Sequence, residues 1–175
     1  MTTDEQLIVA YLRGERDAFT ELFERYRQPV YAFFRRRIAN PARAEELAQE
    51  CFIALIENAA RYEPRASFRS YLYGIAIKMV WAERRKARSE VAENERLDLR
   101  VDATTGGSAG DTGIWVRDAL GRLDDSEREI LMLREYEQLS YEEIGILMRV
   151  PLNTVRSRLF RARAAMKEQL RSAEV

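Results

Sequence analysis

Histidine is absent from the 175 residues, and cysteine occurs once, at Cys51. Those two shortages remove whole classes of chemistry. A cysteine–histidine zinc site lacks its ligands, a histidine-based triad lacks its base, and no disulfide can form within the chain. Cys51 lies in the apolar run Cys51-Phe52-Ile53-Ala54-Leu55-Ile56, where a small buried core residue is expected rather than a reactive thiol. Proline and glycine are scarce, at four and eight, and the apolar residues recur every three or four positions, which predicts an all-helical chain. Met1-Thr2-Thr3-Asp4-Glu5 has no basic stretch ahead of a long apolar one, so neither a signal peptide nor a membrane span is expected, and a cytoplasmic location is. There is also no excess of charge, since Lys plus Arg and Asp plus Glu number 29 each. A protein that binds nucleic acid unaided usually carries a positive surplus, so neutrality points to a further partner.

What is present is enough for a core: 46% of the residues are hydrophobic and 33% charged, which excludes wholesale disorder. Three stretches separate by composition. Residues 1–88 read as consecutive amphipathic helices. Asp17 is placed to cap one that carries Phe19, Leu22, Phe23 and Tyr26 on one face. Asn40-Pro41 opens another, through about Glu57, and Ser67 a third, through Leu72, Ile75, Ala76 and Met79. Residues 89–113 then read as a flexible acidic linker. They carry Glu90, Glu93, Glu95, Asp98, Asp102 and Asp111 against Arg96 and Arg100. The glycines between Thr104 and Gly110 lack the Gly-Lys-Ser/Thr ending of a phosphate loop. Residues 114–175 form a second helical unit. The fold class is therefore all-α, two small helical domains joined by that linker.

The carboxyl-terminal unit contains a helix-turn-helix. Ser140-Tyr141-Glu142-Glu143 is a capping box that opens a short helix with Ile144, Leu147 and Met148 inward. Arg149-Val150-Pro151 breaks it, and a second helix runs through about Leu170. On a wheel of 100° per residue, Val155, Leu159, Ala162, Met166 and Leu170 share the core side. Asn153, Ser157, Phe160 and Ala164 lie opposite, flanked by Arg156 and Arg163 on one edge and Arg161 on the other. A phenylalanine central to an exposed basic face has no folding rationale, but an apolar side chain suits thymine methyl groups in the major groove of duplex DNA.

These residues resemble a known family. Leu139-Ser140-Tyr141-Glu142-Glu143-Ile144, Val150-Pro151, and Thr154 through Arg163 are similar to the fourth conserved region of the extracytoplasmic-function sigma factors of bacterial RNA polymerase. The resemblance implies that this unit reads the minus-thirty-five promoter element, with Asn153, Thr154, Arg156, Ser157, Phe160, Arg161 and Arg163 as its DNA-binding residues and Arg161 near the backbone. Many members have glycine where this chain has Asn153, which sets a potential adenine reader near the helix start. Ala44-Glu45-Glu46-Leu47-Ala48-Gln49-Glu50 with Phe52 resembles the second conserved region, and implies docking on the polymerase largest subunit through Glu46, Leu47, Gln49 and Glu50.

Phe68 to Ala76, followed by Arg84-Arg85-Lys86, resembles the segment that opens the minus-ten element. Single-stranded bases need aromatic platforms and a cationic track, and a flipped base needs a pocket. On that basis Asn58, Arg61, Tyr62, Arg65, Tyr71, Arg84, Arg85 and Lys86 are the minus-ten candidates, with packing an equal alternative for Tyr62, Tyr71 and Tyr73. Members commonly have asparagine and aspartate at the positions of Lys78 and Ala82, and tryptophan at that of Tyr71. The partners so implied are core RNA polymerase, promoter DNA as duplex and single strand, and an anti-sigma factor or other regulator. No catalytic site, metal or cofactor is expected. Two other readings stand beside this one: a stand-alone helix-turn-helix regulator, and an enzyme with an appended DNA-binding domain.

Overall fold

In the computed structural model of the chain, residues 2–94, 116 and 118–173 are described. No strand occurs among them, and the chain divides into two compact units, residues 1–106 and 107–175.

Among its described residues the first unit has four α-helices. Helix α1, Asp4–Leu12, is opened by a capping box in which Thr3 and Gln6 bond reciprocally. Its acidic first turn ties it to the helices around it. The Asp4 carboxylate accepts hydrogen bonds from the Tyr26 hydroxyl at 2.5 Å and from Arg25 at 2.7 Å. The neighbouring Glu5 accepts the backbone N–H of Phe68 at 3.0 Å, so a residue of α1 caps a helix that starts 63 positions later.

Helix α2, Arg16–Arg35, buries Ala18, Leu22, Tyr26, Val30, Phe33 and Phe34. Its start differs from the expectation at Asp17. Glu15 is the N-cap, without a side-chain bond, and Asp17 sits in the first turn, where its charge favours the dipole but closes no cap. The expected face is also rotated, for Phe23 is exposed. Pro29 lies inside α2. It removes one ladder bond, yet the helix continues because Val30, Phe33 and Phe34 beyond it are fully buried.

Helix α3, Pro41–Asn58, starts as expected, with Asn40 Oδ1 accepting from the N–H groups of Ala42 and Arg43 at 3.0 and 3.3 Å. Ala44, Leu47, Ala48, Cys51, Phe52 and Leu55 face the core. Burial pushes the Cys51 thiol up to about 12, which makes it a packing residue. A 3-10 turn at Ala59–Arg61 and a short loop lead to helix α4, Phe68–Asn94, where Ser67 Oγ accepts from the Ser70 N–H at 3.1 Å. The helix carries Glu90 and Glu93, six residues into the stretch read as linker. Glu95, Arg96, Asp98, Arg100, Asp102 and Asp111 lie outside the described residues.

In the second unit, residues 118–121 are helical. Arg128 then binds the carbonyls of Leu120, Gly121 and Leu123 at 2.7, 3.1 and 2.9 Å, which ties the following helix to the end of that one. Helix α5, Asp125–Glu135, is capped by Asp124. Helices α6, Tyr141–Met148, and α7, Leu152–Ala173, complete the unit. Ile130, Leu133, Leu139, Ile144 and Val155 are wholly buried at its centre.

Candidate nucleic-acid and polymerase interfaces

The capping box at α6 forms as expected: Ser140 Oγ accepts the Glu143 N–H at 3.1 Å, and the Glu143 carboxylate accepts the Ser140 N–H at 2.7 Å. The helix stops for a different reason from the one expected. Arg149 adopts the left-handed conformation (φ 54°, ψ 45°), so the turn is made two residues before Pro151. The Pro151 carbonyl instead starts α7 by accepting from the N–H groups of Thr154 and Val155 at 2.9 and 3.1 Å. The turn is tight because Gly145 lets it be. A Cβ on Gly145 would stand 3.0 Å from the Val150 carbonyl oxygen, and the Val150 N–H already bonds the Gly145 carbonyl at 3.0 Å. Ile144 is buried as expected, while Leu147 and Met148 are half-buried and Ile146 is 79% exposed.

That turn sets α7 with Val155, Leu159 and Ala162 buried and Met166 half-buried; the Leu170 side chain lies outside the description. Opposite them Asn153, Ser157, Phe160 and Ala164 are exposed, with Phe160 at 75%. Thr154 is half-buried, and its carbonyl accepts the Ser157 hydroxyl at 3.1 Å. Arg156 is exposed and reaches Asn153 Oδ1 at 3.5 Å, so the two polar side chains nearest the helix start lie side by side. Arg161 and Arg163 are exposed but engaged: Arg161 Nε donates to Glu127 at 2.6 Å, and Arg163 donates to Glu135 at 2.7 Å.

Of the minus-ten candidates, Asn58, Arg61, Tyr62, Arg65 and Tyr71 lie at or beside the loop between α3 and α4, whereas Arg84, Arg85 and Lys86 lie far along α4, which starts at Phe68. Arg61, Arg65, Arg85 and Lys86 are exposed, and Arg84 is half-buried. The other three shape the loop. Tyr62 is 5% exposed, and its hydroxyl donates to the Ala66 carbonyl at 2.6 Å. Tyr71 donates to the Asn58 carbonyl at 2.6 Å, and the Asn58 amide donates to the Ala54 carbonyl at 2.8 Å. The two rings meet edge to face at 5.3 Å. Buried in this way, Tyr62 is a wall of the loop rather than an open platform, and Tyr73 is buried against Phe33.

On α3, Glu46, Gln49 and Glu50 are exposed together. Leu47, grouped with them above, is corrected: at 1% exposed it faces the core, because its position continues the buried Ala44-Leu47-Cys51 spacing. Arg43 organises the carboxylates, binding Glu46 at 2.9 Å, Glu50 at 2.8 Å and Glu83 of α4 at 2.6 Å. Those bonds hold its guanidinium above its ordinary range and the Glu83 carboxyl below its own. Beside this face, α2 and α3 enclose a groove of about 330 Å³ lined by Phe23, Arg27, Gln28, Tyr31, Gln49 and Phe52, among others. Phe23 and Phe52 stack edge to face in it at 4.8 Å. The sequence pattern groups Phe23 on one face with Leu22 and Tyr26, which hides the groove; its place after Leu22 on a helix whose buried positions are 18, 22 and 26 is the available signal.

Two family descriptions match the chain, sigma-70 region 2 over residues 22–90 and sigma-70 region 4 over residues 114–166. The chain is similar to the ECF RNA polymerase sigma factor SigW of Bacillus subtilis, at 28% identity over 91% of this chain and 92% of that one. It is likewise similar to the RNA polymerase sigma factor CarQ of Myxococcus xanthus, at 32% identity over 93% and 94%. Among solved structures it is similar in fold to the sigma factor RpoE of Bartonella quintana, co-crystallised with the anti-sigma factor NepR. That likeness has a TM-score of 0.72 at 21% identity, over 87% of this chain and 96% of that one.

Proposed function

The chain belongs to the sigma-70 family, in its extracytoplasmic-function group, and we propose that α7 reads the minus-thirty-five duplex while the first unit docks on polymerase and holds the melted minus-ten strand. As a member of that family it is an alternative sigma factor, which binds core RNA polymerase and directs promoter-specific initiation. The polymerase adds nucleotides; this chain supplies recognition and strand opening and performs no chemistry of its own. It acts in the cytoplasm, and among the described residues no helix is long and apolar enough to cross a membrane. A regulator of the anti-sigma kind, such as the one bound to the Bartonella relative, is proposed as a further partner. The stand-alone regulator is not favoured, because it would have no use for a first unit matched to sigma region 2 over residues 22–90.

The observation that carries the minus-thirty-five reading is Phe160. A large apolar ring 75% exposed, turned away from buried Leu159 and Val155 on α7, contributes little to folding. Laid in a major groove it meets thymine methyl groups. Arg156 there is suited to bidentate contact with guanine, and Asn153 to contact with adenine. In the first unit Arg61, Arg65, Arg84, Arg85 and Lys86 supply a cationic track for the separated strand. Tyr62 and Tyr71 act by fixing the loop, and Glu46, Gln49, Glu50 and the Phe23–Phe52 groove meet the polymerase. Closed and open complexes formed by the holoenzyme, with Phe160→Ala on one side and Arg84→Ala with Arg85→Ala on the other, test the division of labour. The first change should weaken closed complexes, and the second should reduce permanganate-reactive open complexes while upstream recognition persists.

A further inference from the structure

Two of the three arginines that flank the reading stripe of α7, Arg161 and Arg163, are bound to acids of α5. On one edge, Arg161 Nε donates to Glu127 Oε1 at 2.6 Å. On the other, Arg163 donates to Glu135 Oε1 through Nη2 at 2.7 Å and Nε at 3.2 Å, while its Nη1 reaches the Tyr141 hydroxyl at 3.3 Å. Both arginines are about half exposed, at 56% and 48%, so their outer faces meet solvent where a DNA backbone would run. Glu127 is 17% exposed, and a carboxylate so enclosed needs its cation. Arg156, by contrast, makes no ion pair among the described residues and lies against Asn153.

A phosphate that takes Arg161 or Arg163 must therefore share a guanidinium whose charge a carboxylate already neutralises. The attraction it gains is reduced by that neighbouring negative charge, and so is the counterion release that normally drives backbone binding. We propose that Glu127 and Glu135 are affinity-setting residues of the minus-thirty-five surface, which occupy its flanking arginines and keep sequence-independent binding weak. Base contacts by Asn153, Arg156 and Phe160 then carry a larger share of the interaction. This rests on the reading of α7 as the duplex reader. It also accounts for a DNA-binding unit in a chain of zero net charge that works from the polymerase rather than alone.

The test uses the full chain assembled with core polymerase, and measures closed-complex affinity for a promoter fragment and for one with a scrambled minus-thirty-five element. Salt is varied between about 50 and 200 mM, over which each added phosphate contact costs roughly a further threefold in affinity. Glu127→Gln and Glu135→Gln should each tighten binding to both fragments at low salt and steepen the log–log salt slope by up to about one unit. Adding Arg161→Ala to Glu127→Gln should abolish the gain. An unchanged slope in both single variants, weaker binding, or a gain that persists without Arg161 would overturn the proposal, the last by exposing it as a general charge effect. If Glu127→Gln does not fold, judged by thermal melting, Glu135→Gln with Arg163→Ala carries the same test at the more exposed pair. Arg156→Ala, run in parallel, separates the two levels of the argument. Loss of discrimination between the fragments together with flat Glu→Gln slopes sinks only this proposal, whereas unchanged discrimination sinks the reading of α7 beneath it.

Discussion

Arg43 of α3 grips Glu83 of α4 with two nitrogens, Nη2 at 2.6 Å and Nε at 3.1 Å, while its third, Nη1, meets Glu46 and Glu50 at 2.9 and 2.8 Å. One guanidinium thus joins the proposed docking face to the helix that carries Arg84 and Arg85. The planar fork suits that task, and a lysine could not reproduce it. Arg43→Lys should lower stability by about 1 kcal/mol, above what an isolated surface pair gives because the site is a half-buried network. The effect has a defined pH dependence. Glu83 has its carboxyl held below its ordinary value in the folded state, first by the Arg43 hydrogen bonds. The unfolded chain therefore takes up the proton first as pH falls, so the contribution is full above the ordinary carboxylate range and is lost in acid. Melting of wild type and Arg43→Lys should differ at pH 7 and converge only in acid well below the ordinary glutamate range, where the folded-state Glu83 carboxyl is itself protonated.

Leu47 and Gln49 lie two positions apart on α3 and should behave oppositely. Leu47→Ala opens a core cavity and should cost about 2–5 kcal/mol, with polymerase binding lost only as far as the fold is lost. Gln49→Lys, or Glu50→Lys, should leave the melting temperature within a few degrees and weaken co-purification with core polymerase. Normal polymerase binding by a variant combining Glu46→Lys, Gln49→Lys and Glu50→Lys would exclude this face as the docking surface.

The turn of the helix-turn-helix depends on one missing side chain. Gly145→Ala places a methyl group 3.0 Å from a backbone carbonyl that cannot swing away, and should cost about 1–3 kcal/mol. Gly121 has nothing within 4 Å of the same added atom and sits at a helix end. Gly121→Ala should be neutral or stabilising by up to about 1 kcal/mol. Thermal melts of the two variants make the comparison directly.

Tyr62 and Tyr71 are assigned to shaping the minus-ten loop. Tyr62→Phe and Tyr71→Phe each keep the ring and remove one bond to a carbonyl, at a cost of about 0.5–1.5 kcal/mol. Open-complex formation at a temperature where both variants are folded should fall more for Tyr62→Phe, whose bond lies wholly within the loop, than for Arg61→Ala if loop shape dominates. A larger loss with Arg61→Ala would shift the weight to backbone contact.

Features set by neighbours in sequence were legible beforehand. Asn40-Pro41, Ser67 and the Ser140–Glu143 box are local signals, and each opens the helix expected of it. The Thr3–Gln6 box is equally local and was overlooked. The placement of Phe160 outside the buried Val155–Leu159 stripe follows from the 3.6-residue period alone. Contacts between distant residues were not legible. Glu127 lies 34 positions from Arg161, and Glu5 lies 63 from the N–H it caps, so no spacing rule links them. Leu47 was misassigned because a resemblance transfers a segment whole, whereas one helix turn carries both a docking face and a core face. Phe23 is the opposite case, an aromatic residue that sits next to a buried stripe in sequence and yet is exposed.

The central claim is that α7 reads duplex DNA with its first turns and meets phosphates with its later ones. The most direct measurement is holoenzyme binding to a library of minus-thirty-five duplexes at two salt concentrations, for Arg156→Ala, Phe160→Ala and Lys167→Ala. Arg156→Ala should cost about 1–3 kcal/mol and relax preference at one base position. Phe160→Ala should lower affinity with the salt slope unchanged. Lys167, an exposed cation in the later turns of α7, is placed for a phosphate, so Lys167→Ala should weaken all sequences alike and reduce the slope by roughly one unit. Unchanged base preference in Arg156→Ala, together with altered preference in Lys167→Ala, would contradict this orientation of the helix.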